Sequence, residues 1–153
     1  MVLAGRDPGF RTTNEVPYTG WGMAEWLNAL IEGLAGIHDE TGQFSGAAIS
    51  PRWTATSARA VFVSVRYAAS AAYVAYRMEI DTALRRIHLW HTGSGERARF
   101  RMLLPDGWTP SSLCLGANEG KFEIVREDAS SYICFETASP AIRSAVIQCA
   151  KKR

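Results

Sequence analysis

The sequence predicts a mainly β protein: an antiparallel β-sandwich preceded by one N-terminal α-helix. Three observations carry that prediction. Apolar residues recur at helical spacing in one stretch, Trp21 to Ile37. Beyond it the hydrophobic period falls to two, and turn-forming residues return every several positions. No segment alternates strand and helix in the βαβ manner, so a parallel α/β fold is not expected.

Residues 1–20 are rich in Gly, Pro, Thr and Arg, show no periodicity and read as an irregular leader. In WGMAEWLNALIEGLAGI, residues 21–37, Met23, Trp26, Leu27, Leu30, Ile31 and Leu34 follow helical spacing. Gly36 fits the left-handed position after a helix, with Ile37 placed to fold back on Ile31. Residues 38–153 then form the sandwich. Ala60–Tyr67 sets Val61, Val63, Val65 and Tyr67 against Phe62, Ser64 and Arg66, and Ser70–Ile80 sets Tyr73 and Ala75 against Val74 and Tyr76. Leu84–His91 is a third strand, and Ala98–Leu104 a fourth with Phe100 and Met102 on one face. The segment Thr92–Glu96 reads as the hairpin loop between them. Further strands are expected near Ser112–Leu115, Phe122–Arg126, Ser131–Glu136 and Ala141–Cys149, separated by the breaks at Pro105-Asp106-Gly107, Asn118-Glu119-Gly120 and Ala138-Ser139-Pro140.

Composition narrows the function classes. The 153 residues fit one compact domain, and 47% hydrophobic with 10% aromatic residues is ample for a core. The 17 basic and 15 acidic residues are spread along the chain, so no clustered basic surface for nucleic acid is expected. The one basic run, Lys151-Lys152-Arg153, reads as a solvated tail. The segment Met1–Pro8 has no extended apolar core of the signal-peptide kind, and no apolar run is long enough to span a bilayer, so the chain reads as soluble. Cys114, Cys134 and Cys149 match neither a zinc spacing nor a paired disulfide framework; each falls in an apolar strand-like segment, and all three are expected in the core.

The helix carries an anomaly. At roughly 100° per residue its apolar side chains cover nearly half the circumference, Glu25, Asn28 and Glu32 fill a narrow stripe, and Gly22, Ala29 and Gly33 form a small-residue strip. A helix lying on one sheet needs a single narrower apolar face. This one is patterned for two neighbours, which points to a larger helical assembly or to burial by another chain.

The string GWGMAEWLNALIEGLAGI, then AAISPRW, the VSVRYAASAAYVAYRM strand pair, TGSG and FRMLLPDGW resemble the end of bacterial six-hairpin glycosidases. In that family the last helix of an (α/α)6 barrel carries a similar pattern, a loop reaches an I-x-P-x strand, and a β-sandwich accessory domain closes the chain. The resemblance covers Pro17 to Pro105, and thereafter only the strand pattern. It implies a non-catalytic structural domain within, or descended from, a glycoside hydrolase. The family's catalytic carboxylates lie on the barrel upstream of this region, so no catalytic residue is assigned. Tyr18, Trp21 and Glu25 would be remnants of the parent's sugar pocket.

The residues offer no complete chemistry of their own. Glu25 and Glu32 share a helix face about 10.5 Å apart at 1.5 Å rise per residue, without the facing carboxylates and cleft that glycoside hydrolysis needs. His88 and His91, three apart on a strand, point to opposite faces, so a shared metal is not expected, and His38 reads as a solvent-facing loop residue. Gly93-Ser94-Gly95 is a turn, because no helix follows to present its N-terminus to an anion. No serine sits in a nucleophile-elbow context. Neither metal nor cofactor is expected, and the chain is not expected to be an enzyme alone.

Two alternatives stay open. Trp53, Trp90 and Trp108 with Tyr67, Tyr73 and Tyr76 would serve a carbohydrate-binding module if two or three rings lay exposed on one face, whereas an accessory domain buries most of them. An interaction protein would assemble through the helix. The excess apolar surface of Trp21–Ile37 predicts a homodimer with that helix at its interface.

Overall fold

The computed structural model describes residues 20–151. It is a sandwich of two sheets with one helical element before the first strand. The helix α1 spans Gly20–Asn28 and continues as a π-helical turn, Ala29–Leu34, in which the Ala35 amide donates to the Leu30 carbonyl at 2.9 Å. Gly36 takes φ +68°, as expected at a helix exit, and the site demands glycine twice over: a Cβ there would lie 1.9 Å from the Ser50 carbonyl oxygen. Ile37 borders a recess together with Ile31. It begins β1 (Ile37–Asp39) and pairs with Ile49 of β2 (Gly46–Ile49), because both isoleucines gain full burial in the sandwich.

After a short 3-10 turn at Trp53–Ala55 come β3 (Ala60–Arg66), β4 (Tyr73–Asp81), β5 (Arg86–Gly93) and β6 (Arg97–Leu103). The rest are β7 (Trp108–Leu115), β8 (Asn118–Glu119), β9 (Glu123–Glu127), β10 (Ser130–Ala138) and β11 (Arg143–Lys151). One sheet has the order β1-β2-β6-β10-β9, the other β3-β4-β5-β11-β7-β8. All pairings are antiparallel except β2–β6, where the chain returns to the first sheet after building β3, β4 and β5 in the second. A connection that leaves and re-enters a sheet in this way frees the pair from hairpin geometry.

The core lies where the inner faces meet. Val74, Tyr76, Met78 and Ile80 of β4 face inward with Ile87, Leu89 and His91 of β5 and Ala145 and Ile147 of β11. Opposite them stand Ala98, Phe100 and Met102 of β6 and Ile133 and Phe135 of β10, with the Phe100 and Phe135 rings stacked 5.0 Å apart. The period-two reading therefore assigns the faces of β3 to β6 correctly. It fails for the cysteines. Cys149 is buried, but Cys134 is half-buried on an outer face and Cys114 is exposed, because Leu113 and Ile133 take the inward positions beside them. His38 likewise lies in β1, opposite Ala48, and is exposed there.

Candidate functional site

The helical side of the sandwich is where the molecule is least self-contained. Its inner end is anchored by a relay: Trp53 Nε1–H donates to the Tyr76 hydroxyl at 2.7 Å, and that hydroxyl donates to the Ala35 carbonyl at 2.8 Å. Burial pushes the Tyr76 phenol well above its ordinary pKa, so it stays a neutral donor. The Arg52 amide meets the Leu34 carbonyl at 3.0 Å and the Ser50 amide meets the Gly36 carbonyl at 2.7 Å, satisfying carbonyls that a helix end leaves free. Ile31 packs on the core.

Outward from Ile31 the helix has little cover. Met23, Trp26, Leu27 and Leu30 are 60%, 67%, 55% and 50% exposed, and Phe62 on neighbouring β3 is 74% exposed. Between helix and strand runs a cavity of about 480 Å³ lined by Leu27, Leu30, Ile31, Trp53 and residues 62–66. Strand β3 hydrogen-bonds to β4 on one side and forms the edge of its sheet on the other.

Of the residues expected to mark a sugar pocket, Tyr18 lies outside the described residues. Trp21 falls in the first turn of α1, and Glu25 is exposed on the helix surface. Glu32 is exposed as well, with its carboxylate 3.9 Å from His38 Nδ1. The change from α to π winding at Ala29 falls between Glu25 and Glu32, so the common face expected of a straight helix is not kept. Glu32 borders a small open recess with Ile31, Ile37 and Tyr67.

A second surface is the outer face of the six-stranded sheet. Phe62 pairs with Arg77, and Arg77 with Trp90, in one row across three strands. The Arg77 guanidinium lies 5.7 Å from the Trp90 ring centre, and His88 stacks on that ring at 5.7 Å. Tyr73 shares this face and meets the Thr92 hydroxyl at 3.2 Å. The other rings of the expected platform lie elsewhere. Tyr76 is buried, Trp53 and Trp108 pack on the core, and Tyr67 donates to Asp39 at 2.7 Å beside Phe44.

That Asp39 organises the turn between β1 and β2. One carboxylate oxygen accepts the amides of Gly42 at 2.9 Å, Phe44 at 3.1 Å and Thr41 at 3.4 Å, and the other accepts Tyr67. Burial pushes its pKa up, but the bonds from Tyr67 and the three amides outweigh that and hold it below 3.8. It is a loop anchor.

A recess of about 860 Å³ lies where the chain leaves one sheet for the other before β9. Its charges are mixed: Lys121 and Arg99 against Glu123 and Glu136, with Arg99 engaged by Glu40. The Cys134 thiol there is pushed up by burial, which disfavours a nucleophilic thiolate. His91 is buried in the core, and its Nε2–H donates to the Ala138 carbonyl at 3.1 Å. Burial lowers its pKa, keeping the ring neutral, and Nδ1 has no hydrogen-bond partner. Among the described residues no group of three or more His, Cys, Asp or Glu converges to hold a metal, and no helix is long and apolar enough to cross a membrane. Phe62, Arg77 and the open edge of β3 were not singled out by sequence.

Comparison with protein-family models, curated proteins and solved structures finds no match to the chain.

Proposed function

We propose that this protein is a non-catalytic β-sandwich domain of the accessory, structural kind related to glycoside hydrolases, which assembles as a homodimer through its helical side. The observation that supports this reading most is the row of exposed apolar side chains on α1 and β3, attached to a sandwich whose own core is complete. A soluble monomer rarely keeps a contiguous apolar patch of several hundred Å² in water. Support for the glycosidase relationship comes from the helix, ISPR and strand-pair motifs.

Two measurements test the reading. The chain should hydrolyse no aryl glycoside above background; turnover that disappears in Glu25→Gln would overturn the non-catalytic part. Its mass by light scattering at micromolar concentration should be twice 16.8 kDa. Ala29→Arg, which places a charge in the small-residue strip, should shift the dimer toward monomer.

A carbohydrate-binding role is supported by one separate observation, the aligned Phe62, Arg77 and Trp90 with Tyr73 on the same face. Titration with soluble oligosaccharides, followed by tryptophan fluorescence, separates it. A saturable change absent from Trp90→Ala would favour this role.

A further inference from the structure

We infer that the free edge of β3 is a strand-pairing site for a second copy of this chain, so that two six-stranded sheets join across a two-fold axis at Val63. This rests on the homodimer reading above and names the surface that does the joining.

Four strand edges bound the two sheets, and three are ill-suited to pairing. Strand β1 has three residues, β8 has two, and β9, with five, carries Glu123, Arg126 and Glu127. Short or charged edges resist pairing with another chain. Strand β3 is different. It has seven residues, pairs with β4 without a register shift, and contains neither proline nor any charge before Arg66.

Its backbone alternation fixes which groups are free. The Tyr67 amide bonds the Ala72 carbonyl, and the Ile80 amide bonds the Arg59 carbonyl, so the odd-numbered residues of this strand spend their amides and carbonyls on β4. Ala60, Phe62, Ser64 and Arg66 therefore point theirs outward, and all four are exposed. Place an antiparallel copy about a two-fold at Val63. Phe62 then opposes the partner's Ser64 and Ala60 opposes the partner's Arg66, so every outward amide meets an outward carbonyl. Val61 opposes the partner's Val65, and Val63 opposes the partner's Val63. All seven residues pair, the valines stay on the inner face, and no like charges oppose each other. Slipping by one residue would set amide-bearing positions against positions whose amides are already used.

The surroundings fit the same arrangement. Leu27 and Leu30 flank β3 across the 480 Å³ cavity, which its valines also line. Trp26 and Phe62, 67% and 74% exposed, would each bury about 150–250 Å² in total if fully covered. With Met23, Leu27 and Leu30 each protomer offers roughly 500 Å² of apolar surface before the strand backbone is counted, against about 800 Å² per partner in a stable interface.

The experiment uses the full chain. Proline at position 64 removes an outward amide and leaves the β3–β4 ladder intact, so Ser64→Pro should keep the wild-type circular dichroism and melting profile while weakening the dimer at least about 100-fold by sedimentation equilibrium. In a Cys114→Ser background, Val63→Cys should form a covalent dimer on mild oxidation, because paired residues on the axis approach closely, whereas Phe62→Cys should not. A dimer that survives Ser64→Pro but is lost in Leu27→Arg overturns strand pairing and leaves helix-mediated assembly standing. A wild type monomeric at all concentrations overturns both. If Ser64→Pro proves unfolded, the cysteine pair decides alone: cross-linking at 62 rather than 63, or at neither, contradicts the register.

Discussion

The sandwich and its helix solve the burial problem in opposite ways. Leu89, Ile87, Ile133 and Ile147 are fully enclosed, held from both sheets, whereas Trp26 and Leu27 on the helix stay more than half exposed. The two are tied at the inner end of the helix, where Ile31 packs and the Trp53–Tyr76–Ala35 relay joins side chain to backbone. Apolar composition alone therefore does not say where a chain will bury itself. The sheets close on their own, whereas the helix and adjacent β3 leave large apolar side chains exposed.

That contrast can be broken most directly in the core. Leu89→Ala should destabilise the fold by about 2–5 kcal/mol, since a fully enclosed leucine leaves a cavity. Leu27→Ala should change the stability of dilute protein by less than about 0.5 kcal/mol. Urea unfolding measures both, and equal losses would mean that the helix is already covered. Next in size is the joint between the two regions. Tyr76→Phe leaves the Trp53 N–H and the Ala35 carbonyl without their partner and should cost about 1–3 kcal/mol, read in the same urea titration.

Acid sharpens the comparison from the sandwich side. Burial depresses the pKa of His91 below 6.5, so the unfolded state takes up a proton first, and stability present above that pH is lost as pH falls from 6.5 toward the folded value. Asp39, also depressed, adds a loss in the same direction only below 3.8. A His91→Gln variant should show a flatter stability profile just below pH 6.5, measured by urea midpoints; an unchanged slope would place the titration elsewhere. The smallest effect is expected at the surface. Arg99→Ala removes an exposed pair with Glu40 and should alter stability by no more than about 0.5 kcal/mol in thermal unfolding.

These regions were not equally legible. Alternation placed Val61, Val63 and Val65 against Phe62 and Ser64, and Phe100 beside Met102, because each residue's face depends only on its neighbours along the chain. Alternation marked neither β1 nor β2, and only the resemblance implied a strand at Ile49 of β2. They are three and four residues long, and Ala47 and Ala48 give little apolar contrast, while the Asp39 turn that joins them depends on Tyr67, distant in sequence. The excess apolar face of the helix was readable from spacing. Its destination was not, since the order of strands in a sheet is a non-local property and nothing within AVFVSVR says that it will stand at an edge. Cys114 shows the same limit in miniature: an apolar segment was recognised, but its inward positions went to Leu113 and Leu115.

Residue-resolved amide hydrogen exchange as a function of protein concentration tests the central division most directly. Amides of Leu89 and Ile147, in the middle of the six-stranded sheet, should be protected at every concentration. Those of Phe62 and Ser64 should exchange freely in dilute protein and become protected as concentration rises through the dimerisation range, together with the amides of α1. Phe62 and Ser64 amides that stay unprotected at high concentration, or are already protected in the monomer, would contradict it.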